Sequence, residues 1–155
     1  MKYLSVHIDA DSVAMSATAV SKQDIFWMLA NKASQCYGLD AEKVMDSLQA
    51  RETLGSTGFG GAVAIPHAKI KELDQCVGLF IRLEQSIGFD AHDGQDVDLV
   101  FGLLSPEHGS ADHLKALAEV SRFLRDEAVV AKLRGAASKD ALYALLTGQQ
   151  DQQAA

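Results

Sequence analysis

The rhythm of apolar and polar positions changes several times along the chain, and each change marks an element. Residues 13–20 (VAMSATAV) alternate in the two-residue period of a strand. Ser21 then opens SKQD, a Ser-x-x-Asp start of the capping-box kind. Ile25, Met28, Leu29 and Ala33 follow at helical spacing, with Trp27 at the edge of the stripe, and Gly38 is placed to end the helix. Asp40 is a second N-cap, and Val44, Met45 and Leu48 give a shorter helix that closes near Arg51. A glycine-rich loop comes next (Gly55, Gly58, Gly60, Gly61), then an apolar strand over 62–65 that Pro66 cuts off.

Residues 77–83 (VGLFIRL) and 97–104 (VDLVFGLL) are almost continuously apolar and read as core strands. Between them, 87–89 is a short extended piece, and 90–96 (DAHDGQD) is a turn-rich link carrying Asp-Gly. Pro106 and Gly109 mark a loop. Ser110 then caps a helix whose inner face takes Leu114, Leu117, Val120 and Leu124. Asp126 starts another, with Val129, Val130 and Leu133, and Ser138 starts the last, with Leu142, Leu145 and Leu146. Helices thus flank a group of short apolar strands at both ends of the chain. The pattern predicts an α/β layered sandwich with a mixed sheet. One domain is expected over 1–148, with 149–155 a polar, disordered tail.

Composition removes several classes of function. A chain of 155 residues suits one domain, and 48% hydrophobic with 23% charged residues is ordinary globular usage. The formal net charge is −7 and no basic stripe is visible, which argues against a nucleic-acid partner. No apolar run approaches the ~18 residues a membrane span needs. The start, MKYLSVHIDAD, lacks the apolar stretch of a signal peptide. Cys36 and Cys76 lie far apart and outside any C-x-x-C pattern. They read as buried thiols in a reducing, cytoplasmic compartment.

The candidate chemistry centres on His67. An imidazole with a pKa of about 6.5 is largely neutral at pH 7 and can attack a phosphoryl group without a separate base. The product can pass its group onward, as covalent catalysis requires. Pro66 fixes φ and withholds a backbone donor just before it. Spacing alone does not separate this from a histidine that merely follows a strand. Gly55, Ser56, Thr57 and Gly58 offer hydroxyls and amides that can cradle an anion, or simply a surface turn. No Gly-Lys-Ser/Thr follows, so the loop is not a nucleotide-binding Walker loop.

His113 falls in the first turn of the Ser110 helix, where free amides and partial positive charge suit a phosphoryl oxygen. The alternative is a solvent-facing residue near the cap. Arg51 can clamp a phosphoryl oxygen as a guanidinium, or offset the charge of a helix C-terminus. His7, His92 and His108 fall in loops or at the terminus. His67, His108 and His113 show no metal-ligand spacing, so no metal is expected. No G-x-S-x-G elbow is present.

Arg51-Glu52, Gly55-Ser56-Thr57-Gly58-Phe59-Gly60 and Ala62-Val63-Ala64-Ile65-Pro66-His67-Ala68 together resemble the active-site signature of a bacterial family. These are the phosphotransferase-system IIA proteins of the fructose/mannitol class, and the likeness is strongest to their nitrogen-regulatory type. It covers almost the whole chain, and is weakest over the first dozen residues and the tail. The resemblance implies a three-layer α/β/α sandwich. It implies that His67 is phosphorylated, that His113 is the second active-site histidine, and that Arg51 is the nearby cation. Ser56 and Thr57, with Gly58, would line the phosphoryl site. Gly61 replaces a polar or charged residue common in the family, which bears on donor docking, and Ala68 replaces a frequent glycine.

No cofactor is implied. The implied donor is a histidine-phosphorylated protein of the HPr or NPr type, and the implied regulated partners include potassium transport or sensor proteins. The alternative role is that of a sugar-specific IIA component passing the group to a IIB subunit. Sugar-type domains are often fused to membrane or donor domains. No such fusion is visible here, so the nitrogen-regulatory type is expected.

Overall fold

The computed structural model describes residues 3–148, and the expected tail at 149–155 lies outside them. Six strands and five helices follow in the order β1 (His7–Ala17), α1 (Lys22–Tyr37), α2 (Ala41–Glu52), β2 (Gly58–Gly60), β3 (Val63–Ala64), β4 (His67–Ile70), β5 (Val77–Ile87), β6 (Val97–Pro106), α3 (Ser110–Arg125), α4 (Glu127–Gly135) and α5 (Lys139–Thr147).

The two continuous apolar runs pair with each other at the centre of the sheet. β5 and β6 are antiparallel, with Phe80 opposite Phe101 and Ile81 opposite Val100. β1 lies parallel to β5 on the outer side. On the far side of β6, β3 and β4 both run parallel to it, and β2 pairs antiparallel with β3. The sheet is therefore mixed, in the order β1-β5-β6-β3-β2, with β4 also on β6.

Side chains alternate across β5 and β6 with the two-residue period of a strand, so each run feeds two cores. Leu79, Ile81, Val100 and Leu104 face α1 and α2, against Ile25, Leu29, Ala33, Val44 and Leu48. Phe80, Leu99, Phe101 and Leu103 face the other way, against Val120, Leu124, Leu133, Leu142 and Leu146. The result is the expected α/β/α sandwich. Gly102 permits the close approach of α1: a Cβ there would sit 2.9 Å from the Leu29 side chain.

The helix ends follow the sequence closely. Ser21 Oγ accepts from the Asp24 amide at 3.1 Å, the N-cap half of a capping box, while Asp24 reaches one residue further back and accepts from the Val20 amide at 3.0 Å. Gly38 ends α1 in the left-handed region at φ 69°. Asp40, Asp126 and Ser138 all cap as expected.

Several expectations are corrected. β1 starts at His7 rather than at 13, so His7 lies in a strand. Its register jumps between Ile8 opposite Gly78 and Val13 opposite Phe80. Residues 9–12 form a wide bulge that hides the alternation. The Tyr37 hydroxyl stitches the bulge down, accepting from the Asp9 amide at 3.0 Å and donating to the Gly78 carbonyl at 2.8 Å. β4 adds a strand that the sequence pattern does not signal, because four residues after a proline carry too little pattern. α3 is preceded by Gly109 at φ 129°, with no side-chain cap, and Ser110 is its first helical residue. Leu114 is 64% exposed, so it does not lie on the inner face. The inner stripe instead runs His113, Leu117, Val120, Leu124, at steps of four, three and four. Cys36 and Cys76 are free thiols and half-buried rather than buried.

Candidate functional site

Pro66 separates β3 from β4 without letting the chain leave β6. Its carbonyl accepts from the Leu103 amide at 2.9 Å, and His67 then pairs in register opposite Leu103. The histidine is thus the first residue of a strand whose neighbour is the buried core of the sheet.

The ring of His67 is held on both edges. Nδ1 lies 2.8 Å from the Ile65 carbonyl oxygen. A carbonyl only accepts, so Nδ1 carries the proton and Nε2 keeps its lone pair. Arg51, from the last turn of α2, donates Nε–H to that Nε2 at 3.1 Å and Nη1–H to the Gly55 carbonyl at 3.0 Å. Burial lowers the pKa of His67 below the ordinary imidazole value. The Ile65 bond and Glu52 oppose this, and the charge of Arg51 adds to it. His67 is half-buried, so the ring is neutral at pH 7 yet still reachable.

His113 comes from the first turn of α3 and is 8% exposed, which corrects the solvent-facing alternative. Its Nδ1 lies 2.7 Å from the hydroxyl oxygen of Ser105 on β6. Burial lowers its pKa too, helped by His67 and Lys69. The two imidazoles stand 5.6 Å apart between centroids, tilted by 44°. Arg51, Leu54, His67, Lys69 and His113 share one open depression of about 540 Å³. Leu54, 83% exposed, forms an apolar lip.

The loop residues are used differently. Ser56 Oγ donates to the Phe89 carbonyl at 2.9 Å and accepts from the Gly58 amide at 3.1 Å. Thr57 donates its hydroxyl to Glu52 at 2.6 Å and its amide to the same carboxylate at 2.9 Å. Lys22 completes that cluster with an ion pair to Glu52 at 2.9 Å. A Cβ on Gly58 would come within 2.9 Å of Ala91, so the glycine serves close packing. The structure therefore brings His67, His113 and Arg51 together. Ser56, Thr57 and Gly58 fasten the loop to Phe89, Glu52 and Ala91.

Two residues near the site, Lys69 and Ser105, carry no mark in the sequence reading, and a third, Glu52, stands in the quoted signature without a role. Lys69 sits two positions after His67 in the same strand, hence on the same face. Glu52 adjoins Arg51 in sequence. Ser105 is a hydroxyl at the end of the apolar run of β6, and that interruption was the available sign. Among the described residues, no group of three or more His, Cys, Asp and Glu side chains is arranged to hold a metal ion. Among the same residues, no helix is long and apolar enough to cross a membrane.

Comparison with known proteins identifies the family and the fold. The pattern of the family described as the phosphoenolpyruvate-dependent sugar phosphotransferase system, EIIA 2, matches residues 6–149. A nitrogen regulatory protein of Bradyrhizobium diazoefficiens is 47% identical over 126 residues, covering 81% of this chain and 82% of that one. A nitrogen regulatory protein of Klebsiella oxytoca is 39% identical over 128 residues, covering 82% and 79%. Among solved structures, the nitrogen regulatory protein IIA-Ntr of Neisseria meningitidis superposes with a TM-score of 0.85 at 33% identity, covering 90% of this chain and 96% of that one. Family membership implies phosphoryl transfer through a histidine. From its sequence pattern and its fold alike, the chain belongs to the EIIA 2 family of the phosphoenolpyruvate-dependent sugar phosphotransferase system.

Proposed function

We propose that the protein is a phosphocarrier with a regulatory role of the nitrogen type. His67 accepts a phosphoryl group from a phosphohistidine donor of the HPr or NPr kind, and its phosphorylation state controls partner binding. The observation that carries this reading is the unprotonated Nε2 of His67, facing an open depression with a guanidinium already upon it. In the transfer, the Nε2 lone pair attacks phosphorus while the phosphorus–nitrogen bond of the donor breaks. Its electron pair returns to the donor ring. Nδ1 keeps its proton throughout, and the Ile65 carbonyl steadies the positive charge that N-phosphorylation brings to the ring. Arg51 shifts from Nε2 to the oxygens of the transferring group, where a guanidinium lowers the cost of the developing charge.

The regulatory half rests on charge. A phosphoryl group adds about −1.5 to −2 charges, here in a depression lined by Arg51, Lys69 and the exposed Leu54. That change creates or removes a docking surface, and potassium transport or sensor proteins are the class of partner to try first. Similarity to the nitrogen regulatory proteins of Bradyrhizobium and Klebsiella supports the regulatory reading over a sugar-specific one.

The test is incubation with phosphoenolpyruvate and the donor proteins, followed by intact-mass measurement. One added phosphoryl group is expected, absent in His67→Ala. No addition, or an addition that survives in His67→Ala, overturns the reading. A pull-down with the two forms should recover different partners. Equal sets, or onward transfer to a sugar permease IIB subunit, would count for the sugar-specific role.

A further inference from the structure

Ser105 is fully buried near the end of β6, opposite Lys69 of β4 and two residues beyond Leu103, the partner of His67. Two groups converge on its hydroxyl: His113 Nδ1 at 2.7 Å and Cys76 Sγ at 3.5 Å. A serine hydroxyl has one proton to donate. An imidazole nitrogen is a good acceptor and a thiol sulfur a weak one, so the proton goes to Nδ1. The Cys76 thiol has two acceptors in reach, Ser105 Oγ at 3.5 Å and the Asp112 carbonyl oxygen at 4.0 Å, and Ser105 Oγ keeps its lone pairs free to accept. This wiring satisfies all three groups, and no buried polar side-chain atom among the described residues is left without a partner.

A nitrogen that accepts a hydrogen bond carries no proton of its own. Neutral His113 therefore holds its proton on Nε2, on the ring edge away from Ser105. The two histidines take opposite tautomers: Nδ1–H in His67, set by a backbone carbonyl, and Nε2–H in His113, set by a side-chain hydroxyl.

We propose that Ser105 is a positioning residue: its buried hydroxyl holds His113 in the Nε2–H tautomer, so that His113 donates a hydrogen bond to the phosphoryl group on His67. The proposal rests on the phosphocarrier reading for its consequence, but not for the tautomer. Without Ser105 the ring is free to rotate and to exchange its proton between nitrogens. A fraction of molecules would then present a bare Nε2 lone pair to the phosphoryl oxygens, which repels them.

The experiment uses the full-length chain with ¹⁵N-labelled histidine at a pH above 7.5, where the imidazoles are neutral. Long-range ¹H–¹⁵N spectra should show a pyrrole-type Nε2 and a pyridine-type Nδ1 for His113. In Ser105→Ala the two resonances should move toward each other as the tautomers mix. Phosphoryl uptake by that variant should slow by roughly three- to tenfold, the range of one positioned hydrogen bond. Ser105→Thr, which keeps the hydroxyl, should restore both readouts. A proton on Nδ1 of His113 in the parent protein, or an unchanged tautomer in Ser105→Ala, overturns the proposal. The spectra need no donor protein, so a parent chain that takes up no phosphoryl group would overturn the phosphocarrier reading while the tautomer measurement still decides this one.

Discussion

Two arginines on opposite sides of the molecule show how one side chain can build structure in one place and chemistry in another. Arg82 leaves the apolar strand β5 and points Nη1 at the end of α4, where the carbonyls of Leu133, Arg134 and Ala136 accept at 2.9, 3.2 and 2.8 Å. These are the carbonyls a helix C-terminus leaves unpaired, and a cation suits that end. Arg51 also sits at a helix end, yet it holds one carbonyl and the lone pair of a neutral imidazole. Carbonyls at a closed helix end offer no reason to let go. An imidazole nitrogen is the weaker attraction for a guanidinium, and on the proposed function an arriving phosphoryl oxygen would outcompete it. The difference lies in the acceptors, and it separates a fixed strut from a movable clamp.

The comparison can be broken at either arginine. The largest effect is expected for Arg82→Met, which keeps the stem and leaves the α4 carbonyls without their donor. A loss of about 2–4 kcal/mol in urea unfolding is expected. Phosphoryl uptake by the folded fraction should be unchanged. If stability is untouched, Arg82 is not the strut described. Arg51→Ala should do the reverse. Its uptake rate should fall about a hundredfold, the scale for losing one positioned donor to the transition state, while unfolding shifts by less than about 1 kcal/mol.

A smaller effect sharpens the contrast through pH. Burial holds the pKa of His67 and of His113 below the unfolded value. Between the folded and unfolded pKa values the unfolded chain therefore binds more protons. Stability is fully present above about pH 6.5 and is lost as pH falls toward the lowered folded values. Uptake should likewise be flat above that range and decline below it, as Nε2 becomes protonated. In Arg51→Ala, removal of a positive neighbour should raise the midpoint of the decline for His67. Replacement of Arg82 should leave the midpoint where it was. Rate against pH for the three proteins decides this.

Much of this was legible in the chain. The continuous runs that became β5 and β6 announced the centre of the sheet, because burial on both faces leaves no polar alternation. Ser21, Asp24 and Gly38 announced α1, because capping is local chemistry. The members of the candidate site, His67, His113 and Arg51, were named from the glycine loop, the proline and the helix ends, and from resemblance.

What escaped was settled by distant packing. The bulge in β1 depends on Tyr37 reaching across from α1. The placement of His113 on the inner stripe, with Leu114 outside, depends on which way α3 is rotated over the sheet, and one residue of phase decides it. Ser56 and Thr57 have hydroxyls that suit an anion, and only the fold shows them committed to Phe89 and Glu52. Ser105 looked like the end of an apolar run until α3 brought a histidine to it.

On the phosphocarrier reading, the bond between His67 Nδ1 and the Ile65 carbonyl fixes where the ring keeps its proton. A ring whose spare proton never leaves neither draws on the surrounding buffer nor releases to it when the phosphoryl group arrives or departs. The step is then isoprotonic on this side of the exchange. The ring of His67 contributes no proton to the balance of the exchange. On the proposed function, a site built this way would carry the state of the phosphoryl supply without adding a proton signal from its own ring.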